Sequence, residues 1–163
     1  MIKRIIVEGA DQQGKTTLVN YLSEKLKWNI IHFRKPAENF DFVSGYMIPE
    51  KTISDRNFLS EIVYSQVCER KSRASMELLS NVFRTRDTLL IVLDREDSFI
   101  FDKSRKEDYV ESDIYFAIDL YKKEFKKVNM EKMILNPNCE DFEKHVQAII
   151  DLASYEDTQE TGV

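Results

Sequence analysis

One short segment of the chain carries the residue types that hold phosphate groups. Residues 9–16, GADQQGKT, follow the spacing GxxxxGK[ST], in which two glycines precede a lysine and a hydroxyl side chain. In such a loop the backbone N–H groups surround the phosphates, the lysine reaches the terminal phosphates and the hydroxyl binds Mg²⁺. The segment therefore predicts a site for a nucleoside triphosphate and Mg²⁺. The residues of this predicted site are Gly9, Gln12, Gln13, Gly14, Lys15, Thr16 and Thr17.

The elements that flank residues 9–16 must hold the loop in place. Residues 5–7, IIV, form an apolar run typical of a strand buried in a parallel sheet. After the loop, apolar residues recur at helical spacing from Thr16 to Leu26. The predicted helix therefore points its N-terminus, with its partial positive charge, at the bound phosphates. Lys15 is expected at the β- and γ-phosphates, and Thr16 on Mg²⁺.

The rest of the chain alternates short apolar runs with segments of helical spacing. Further strands are predicted at residues 29–34, 51–54, 89–93 and 132–135. Helices are predicted within residues 59–67, 76–83, 110–125 and 142–150, the second as a separate helix or a continuation of the first. The aliphatic run at 89–93 is expected to be a central strand. This alternation predicts a three-layer α/β fold, with about five parallel strands and helices on both faces of the sheet.

Length and composition limit the organisation and function of the chain. A chain of 163 residues is expected to form one domain, here 1–153, with a lid near 95–110 and a polar tail at 154–163. Its 42% hydrophobic and 33% charged residues exclude a disordered chain, and its net charge of −5 disfavours general nucleic-acid binding. Cys68 and Cys139 show neither a zinc-binding nor a disulfide pattern. The first residues lack the apolar run of a signal peptide or membrane span, so a cytoplasmic protein is expected.

Charged residues beyond the phosphate-binding lysine are candidates for holding the phosphoryl acceptor. Asp11 places a carboxylate inside the loop. Asp55 and Arg56 follow a predicted strand at the sheet edge where ligands of open α/β folds bind, and Arg34 ends the neighbouring strand there. Two arginines and Lys15 near phosphates favour phosphoryl transfer, because positioning and charge neutralisation supply most of its catalysis.

Several of these charged residues have an alternative role. Asp55 can instead cap the helix that follows it, and Arg34 can be an ordinary surface arginine. Arg105 and Lys106 lie in a strongly charged stretch. They belong either to a solvated face or to a mobile lid over the phosphates.

Asp94 supports a different class of protein. It follows the predicted aliphatic strand, where many P-loop proteins carry a carboxylate that associates with the metal. Thr16 with Asp55 or Asp94 is therefore the candidate set of Mg²⁺ ligands. If Asp94 is the essential carboxylate, the chain is instead a P-loop ATPase or a nucleotide-switched binding module.

Three motifs, in this order, resemble those of the thymidylate kinases. VEGADQQGKTT resembles their P-loop pattern EGxDxxGK[ST]T, RKPA at Arg34 resembles REPG, and DRNFLSEIVYS at Asp55 resembles their DR[YH] motif. The resemblance covers nearly the whole chain and implies a P-loop kinase fold and a homodimer. It also implies transfer of the γ-phosphoryl group from Mg-ATP to a deoxynucleoside monophosphate in nucleotide biosynthesis. In that family the residue matching Asp11 holds the acceptor's sugar hydroxyl, and the arginines matching Arg34 and Arg56 hold its phosphate.

The P-loop departs from one version of the family pattern. Gln12 stands where some thymidylate kinases have arginine. The resemblance then implies that the extra positive charge comes from the lid, from Arg105 or Lys106, with Arg95 as a weaker candidate. The predicted catalytic residues are Lys15, Asp55, Arg56 and Arg105.

The segment between the second and third motifs is short. Only residues 35–54 separate them, whereas thymidylate kinases have a helical region there that contacts thymine. The chain thus resembles the compact thymidylate-kinase-like proteins encoded by bacteriophages. This resemblance implies that the cytoplasm in which it acts is that of an infected host cell. Phe40, Phe42 and Tyr46 either stack on a base or pack against the core. We expect a thymidylate-like acceptor, with a modified base in DNA or a polynucleotide end as alternatives.

Overall fold

The computed structural model describes residues 1–106 and 108–154. Residues 155–163 of the predicted tail lie outside the described residues, as does Glu107 of the predicted lid. The strands are β1 (Arg4–Glu8), β2 (Asn29–His32), β3 (Thr52–Asp55), β4 (Thr88–Leu93) and β5 (Lys132–Leu135). The helices are α1 (Lys15–Leu26), α2 (Phe58–Val67), α3 (Met76–Arg84), α4 (Glu111–Phe125) and α5 (Phe142–Ser154). None of these helices combines the length and apolarity needed to cross a lipid bilayer.

The five strands form one sheet in the order β2-β3-β1-β4-β5, with every neighbouring pair parallel. All six residues of β4 are buried, and β4 lies between β1 and β5 as its aliphatic run predicts. The register pairs Val7 with Asp55 and Glu8 with Val92. Strands β1, β3 and β4 therefore end side by side, so the segments that follow them share one edge of the sheet.

The alternating side chains of β1 divide the apolar core between the two faces of the sheet. Ile6 packs in a cluster with residues of α2, α3 and α4, including Phe58. Ile5 and Val7 pack in a second cluster with residues of α1 and α5, including Leu22. Burial of each such side chain contributes about 1.5–3 kcal/mol to the stability of the fold. Helices thus cover both faces, and the predicted three-layer α/β fold is confirmed.

The structure shortens one predicted strand and decides between two predicted arrangements of helices. The strand expected over 29–34 ends at His32. The Phe33 amide still donates to the Asp55 carbonyl at 3.0 Å, but β3 ends there and offers no further ladder partner. The helical spacing of 59–83 forms two helices rather than one, because the Ser75 hydroxyl accepts a hydrogen bond from the Leu78 amide and caps α3.

The start of the phosphate loop is packed too tightly for a side chain. Gly9 has a φ of +139°, and a Cβ atom there would lie 2.7 Å from the carbonyl oxygen of Leu93 at the end of β4. We therefore expect Gly9→Ala to lower the free energy of unfolding by about 1–3 kcal/mol. Urea unfolding followed by circular dichroism measures this. Asn20→Ala, at an exposed position of α1, is the control and should change stability by less than about 0.5 kcal/mol. Equal losses in the two variants would contradict the close approach.

Candidate active site

Residues 9–16 form a turn that leaves the N-terminus of α1 open. Gly14 precedes the helix with a left-handed φ of +94°, and Gln12 is also left-handed at +63°. Since Gly14 has no side chain, it cannot occupy the free amides of the first helical turn. Thr16 and Thr17 are exposed in that turn. The arrangement fits the binding of phosphate oxygens by helix amides, with hydroxyl groups beside them.

Lys15 is held inside the loop. Its Nζ donates a hydrogen bond to the carbonyl oxygen of Ala10 at 2.7 Å. Burial, and after it the positive charge of Arg56, lowers the pKa of the Lys15 ammonium to about 8, against the opposing charges of Asp11 and Asp55. A desolvated cation of this kind gains stability when anionic phosphates bind beside it.

Asp11 and Arg56 form a direct ion pair, although they are far apart in sequence. An Oδ1 atom of Asp11 accepts from Nη2 of Arg56. The Arg56 guanidinium lies 5.2 Å from the centroid of the Tyr64 ring, so a cation–π contact also holds it. The backbone N–H of Arg56 donates to the carbonyl of Val7 at 2.9 Å. The structure thus brings together two of the residues that the sequence predicted for acceptor binding.

Glu8 organises this region and was missed from the sequence. Its side chain is fully buried, and Oε1 accepts hydrogen bonds from the amides of Asn57 at 2.8 Å and Ser60 at 3.2 Å. Oε2 accepts from the Ser60 hydroxyl and from the Tyr121 hydroxyl at 3.4 Å. Burial raises the pKa of the Glu8 carboxyl, with the hydrogen bonds from Ser60 opposing it. Its only sequence signal is a carboxylate that ends an apolar strand directly before the loop.

Asp94 and Asp55, the two candidate carboxylates for a metal, differ in how many of their oxygens already have a partner. One Asp94 oxygen lies 3.2 Å from Nζ of Lys122, and the other accepts from the Glu96 amide at 2.9 Å. Oδ2 of Asp55 lies 3.0 Å from Nδ1 of His32, whereas its buried Oδ1 has no partner among the described residues. The free oxygen makes Asp55 the better candidate for a metal.

A Mg²⁺ site here would depend on the bound nucleotide. Within residues 1–106 and 108–154, no group of three or more His, Cys, Asp or Glu side chains is arranged to hold a metal ion. Mg²⁺ is commonly held by one or two protein ligands together with substrate phosphates. Thr16 and Asp55 fit that pattern. Asp55 does not cap α2, because the Asn57 side chain accepts from the Phe58 amide and fills that role.

The predicted lid segment, residues 95–110, is fastened to the phosphate loop by two glutamines. Oε1 of Gln12 accepts from the Asp102 amide at 2.8 Å, and its Nε2 donates to the Asp102 carbonyl at 3.2 Å. Oε1 of Gln13 accepts from the Arg95 amide at 2.9 Å. The glutamines were predicted only as loop residues of the triphosphate site. The structure adds that both hold the lid segment.

The candidate lid cations lie in different places. An Nη2 atom of Arg95 would be 3.6 Å from a Cβ atom built on Gly14, so this guanidinium lies against the phosphate loop. Arg105 and Lys106 are exposed. Neither belongs to the lining of the cavity beside the loop, although Asp108 from the same segment does. The role predicted for Arg105 and Lys106 stays a prediction.

A cavity of about 530 Å³ adjoins the phosphate loop at Asp11. Arg34 and Arg56, the two arginines predicted to hold the acceptor phosphate, both line it. Arg34 is exposed, as its alternative interpretation expected, yet it faces the same cavity. The wall also includes the ion-paired residues Glu61 and Arg70, which the sequence did not single out. The volume and the positive charge fit a phosphorylated small molecule.

The aromatic residues of the short segment 35–54 mainly pack on one another. Tyr46 is 2% exposed, and the ring centroids of Phe40 and Phe42 lie 5.0 and 5.9 Å from the centroid of its ring. Tyr46 touches the cavity, but Phe40 and Phe42 do not belong to its lining. For those two residues the structure matches core packing rather than base stacking. Tyr109, from the lid segment, lines the cavity instead.

Several solved structures resemble this chain in fold at low sequence identity. No protein-family model and no curated protein matches it. The YorR protein of Bacillus subtilis, solved in complex with phosphorylated GDP, is similar with a TM-score of 0.70 and 20% identity over 95% of this chain and 98% of that one. Deoxyadenosine kinase from M. mycoides with bound dCTP has a TM-score of 0.59 and 14% identity, over 93% of this chain and 99% of that one. Thymidylate kinase from Ehrlichia chaffeensis has a TM-score of 0.51 and 16% identity, over 92% of this chain and 97% of that one. The chain therefore has the α/β fold found in P-loop nucleotide kinases.

The buried Lys15 ammonium makes nucleotide binding depend on pH. Above about pH 8 a growing share of Lys15 is neutral in the free protein, and bound phosphates restore its proton. Binding of a non-hydrolysable ATP analogue should therefore take up a proton at about pH 9 that is not taken up at about pH 7. Calorimetry in two buffers of different ionisation enthalpy measures this uptake. Lys15→Arg is the control, because its guanidinium stays charged throughout. If both proteins take up the same number of protons on binding at about pH 9, this role of Lys15 is refuted.

Proposed function

We propose that this chain is a kinase that transfers the γ-phosphoryl group of ATP to a (deoxy)nucleoside monophosphate, with a thymidylate-like acceptor favoured. The observation that carries the proposal is the Asp11–Arg56 pair. This pair stands where the phosphate loop meets the neighbouring cavity, and Arg34 lines that cavity as well. An ATPase needs the loop alone, whereas a kinase needs a second, cationic site beside it.

The residues support transfer without a covalent enzyme intermediate. Loop amides and Lys15 would hold the β- and γ-phosphates of ATP, while Arg56 and Arg34 would hold the acceptor phosphate in line with them. Mg²⁺, when bound through Thr16 and Asp55, would neutralise charge on the phosphates. An acceptor phosphate is already ionised near neutral pH, so its attacking oxygen needs no general base. Charge neutralisation and positioning then account for the catalysis.

The neighbours of similar fold are consistent with a nucleotide acceptor but differ in what they bind. They are deoxyadenosine kinase with dCTP, thymidylate kinase, and YorR with phosphorylated GDP. A net charge of −5 weighs against the alternative of a DNA acceptor. A cytoplasmic homodimer remains part of the proposal through the resemblance to thymidylate kinases.

The direct test supplies Mg-ATP with a panel of nucleoside monophosphates and with hydroxymethylated DNA, and identifies the products by mass spectrometry. We expect a nucleoside diphosphate and ADP in equal amounts. Asp55→Asn should lower turnover by about a hundredfold or more, because its free oxygen is the one available to the metal. Asp94→Asn should lower turnover less, because that carboxylate is already paired with Lys122.

Several outcomes would contradict the proposal. ATP hydrolysis that no acceptor changes, or loss of activity in Asp94→Asn but not in Asp55→Asn, would favour a P-loop ATPase. Turnover on DNA alone would exclude the monophosphate acceptor. Circular dichroism of each variant separates lost catalysis from lost folding.

A further inference from the structure

We propose that Arg70, oriented by the buried carboxylate of Glu61, recognises the base of the acceptor and selects bases that present a carbonyl oxygen. Guanine, thymine and uracil would then be preferred to adenine and cytosine. This inference rests on the proposed function, because it assigns the base-binding part of the same cavity. Glu61 lies on α2 and Arg70 follows that helix, so neither belongs to the shortened segment 35–54.

The two side chains are held together as a fork. Nη1 of Arg70 lies 2.6 Å from Oε1 of Glu61, and Nη2 lies 2.8 Å from Oε2. The Glu61 side chain is 1% exposed, whereas that of Arg70 is 34% exposed. Both residues line the cavity that contains Arg34 and Arg56. The pair therefore fixes the direction of a guanidinium within reach of a ligand that is bound by its phosphate.

Stability alone does not explain an ion pair at this position. The desolvation of a buried charge offsets most of the attraction between the partners, and apolar residues of similar size commonly stabilise a fold equally well. Burial acts to raise the pKa of Glu61, but the hydrogen bond from Arg70 and further contacts from Arg70 and Arg73 outweigh it and lower the pKa. The carboxylate thus stays ionised and keeps Arg70 in place.

The pair presents hydrogen-bond donors to the cavity. Both Glu61 oxygens are occupied by Arg70, and Oε1 also accepts from the Arg73 amide at 3.3 Å. A guanidinium has five N–H donors and no acceptor, so about three donors of Arg70 remain for a ligand. Asp108 also lines the cavity, but it is exposed. Arg70 therefore faces the cavity as a hydrogen-bond donor.

Donors of this kind distinguish the bases. Guanine offers O6 and N7 as adjacent acceptors, and thymine and uracil offer O4. Adenine and cytosine carry amino groups at the corresponding positions, which would leave a donor of Arg70 facing another donor. The ring of Tyr109 also lines the cavity and can stack on any base, so it supplies affinity without selection.

The experiment compares the wild-type protein with Arg70→Gln and Arg70→Lys. Binding of dGMP, dTMP, dUMP, dAMP and dCMP is measured by calorimetry, and kcat/KM is measured with Mg-ATP. Arg84→Gln, at an exposed position of α3, is the matched control. The wild-type protein should prefer the three carbonyl bases by about tenfold to a hundredfold. Arg70→Gln should remove most of that preference while changing dAMP binding little. Arg70→Lys keeps the charge without the forked geometry of the guanidinium. Its base preference should therefore lie between those of the wild-type protein and Arg70→Gln.

The ratio between bases separates recognition from a structural role. Equal loss for all five monophosphates in both Arg70 variants, or a wild-type protein that prefers dAMP or dCMP, would overturn the inference. If Arg70→Gln does not fold, the base preference of Arg70→Lys decides the question.

Two further outcomes distinguish this inference from the proposed function. If the variants phosphorylate monophosphates with an unchanged base preference, only this inference is contradicted. If binding shows a base preference that depends on Arg70 but no phosphoryl group is transferred, only the proposed kinase activity is contradicted. Absence of monophosphate binding would overturn both.

Discussion

The carboxylate of Glu8 is the contact on which the geometry of the site depends. Glu8 is the last residue of β1 and directly precedes the phosphate loop, while its hydrogen bonds go to the first amides of α2. Between β3 and α2, Arg56 adopts a left-handed φ of +67° and donates its amide to the carbonyl of Val7. The end of β1 therefore holds the turn that carries Arg56. The Asp11–Arg56 pair follows from that placement.

The buried charges around Glu8 are balanced only in part. A buried carboxylate is tolerated because each of its oxygens accepts hydrogen bonds, and removing a donor would leave it poorly satisfied. Lys15 and Arg56 add positive charge close by, and the lowered pKa of Lys15 reflects burial together with the charge of Arg56. Such a site is prepared for anions, because phosphates would relieve both effects.

The sequence predicted those parts of the fold that local patterns encode. The aliphatic run of β4, the strand–loop–helix around Gly14 and the helical spacing of α4 each depend on neighbours along the chain, so they could be recognised without coordinates. The strand predicted to reach Arg34 ended two residues early, because its length depends on the partner strand β3. Fold class was thus predictable, and strand length was less so.

The unpredicted parts of the candidate site are contacts between distant residues. Gln12 meets Asp102 across 90 positions, and Glu8 meets Ser60 across 52. Nothing in the spacing of a glutamine or a glutamate indicates such a partner. The Glu61–Arg70 pair is closer in sequence, but its meaning depends on the cavity that α2 and the lid segment enclose. From the sequence alone the aromatic residues of 35–54 are the candidates for base recognition, but two of them pack on Tyr46 instead.

The most direct measurement is a crystal structure with a bisubstrate analogue in which adenosine and thymidine are joined through five phosphates. The adenosine-side phosphates are expected on the loop at 9–16, the acceptor-side phosphate on Arg56, and the thymine base within reach of Arg70. An analogue whose thymidine half lies outside the cavity, with Arg56 still paired with Asp11, would contradict the assignment of a two-substrate site.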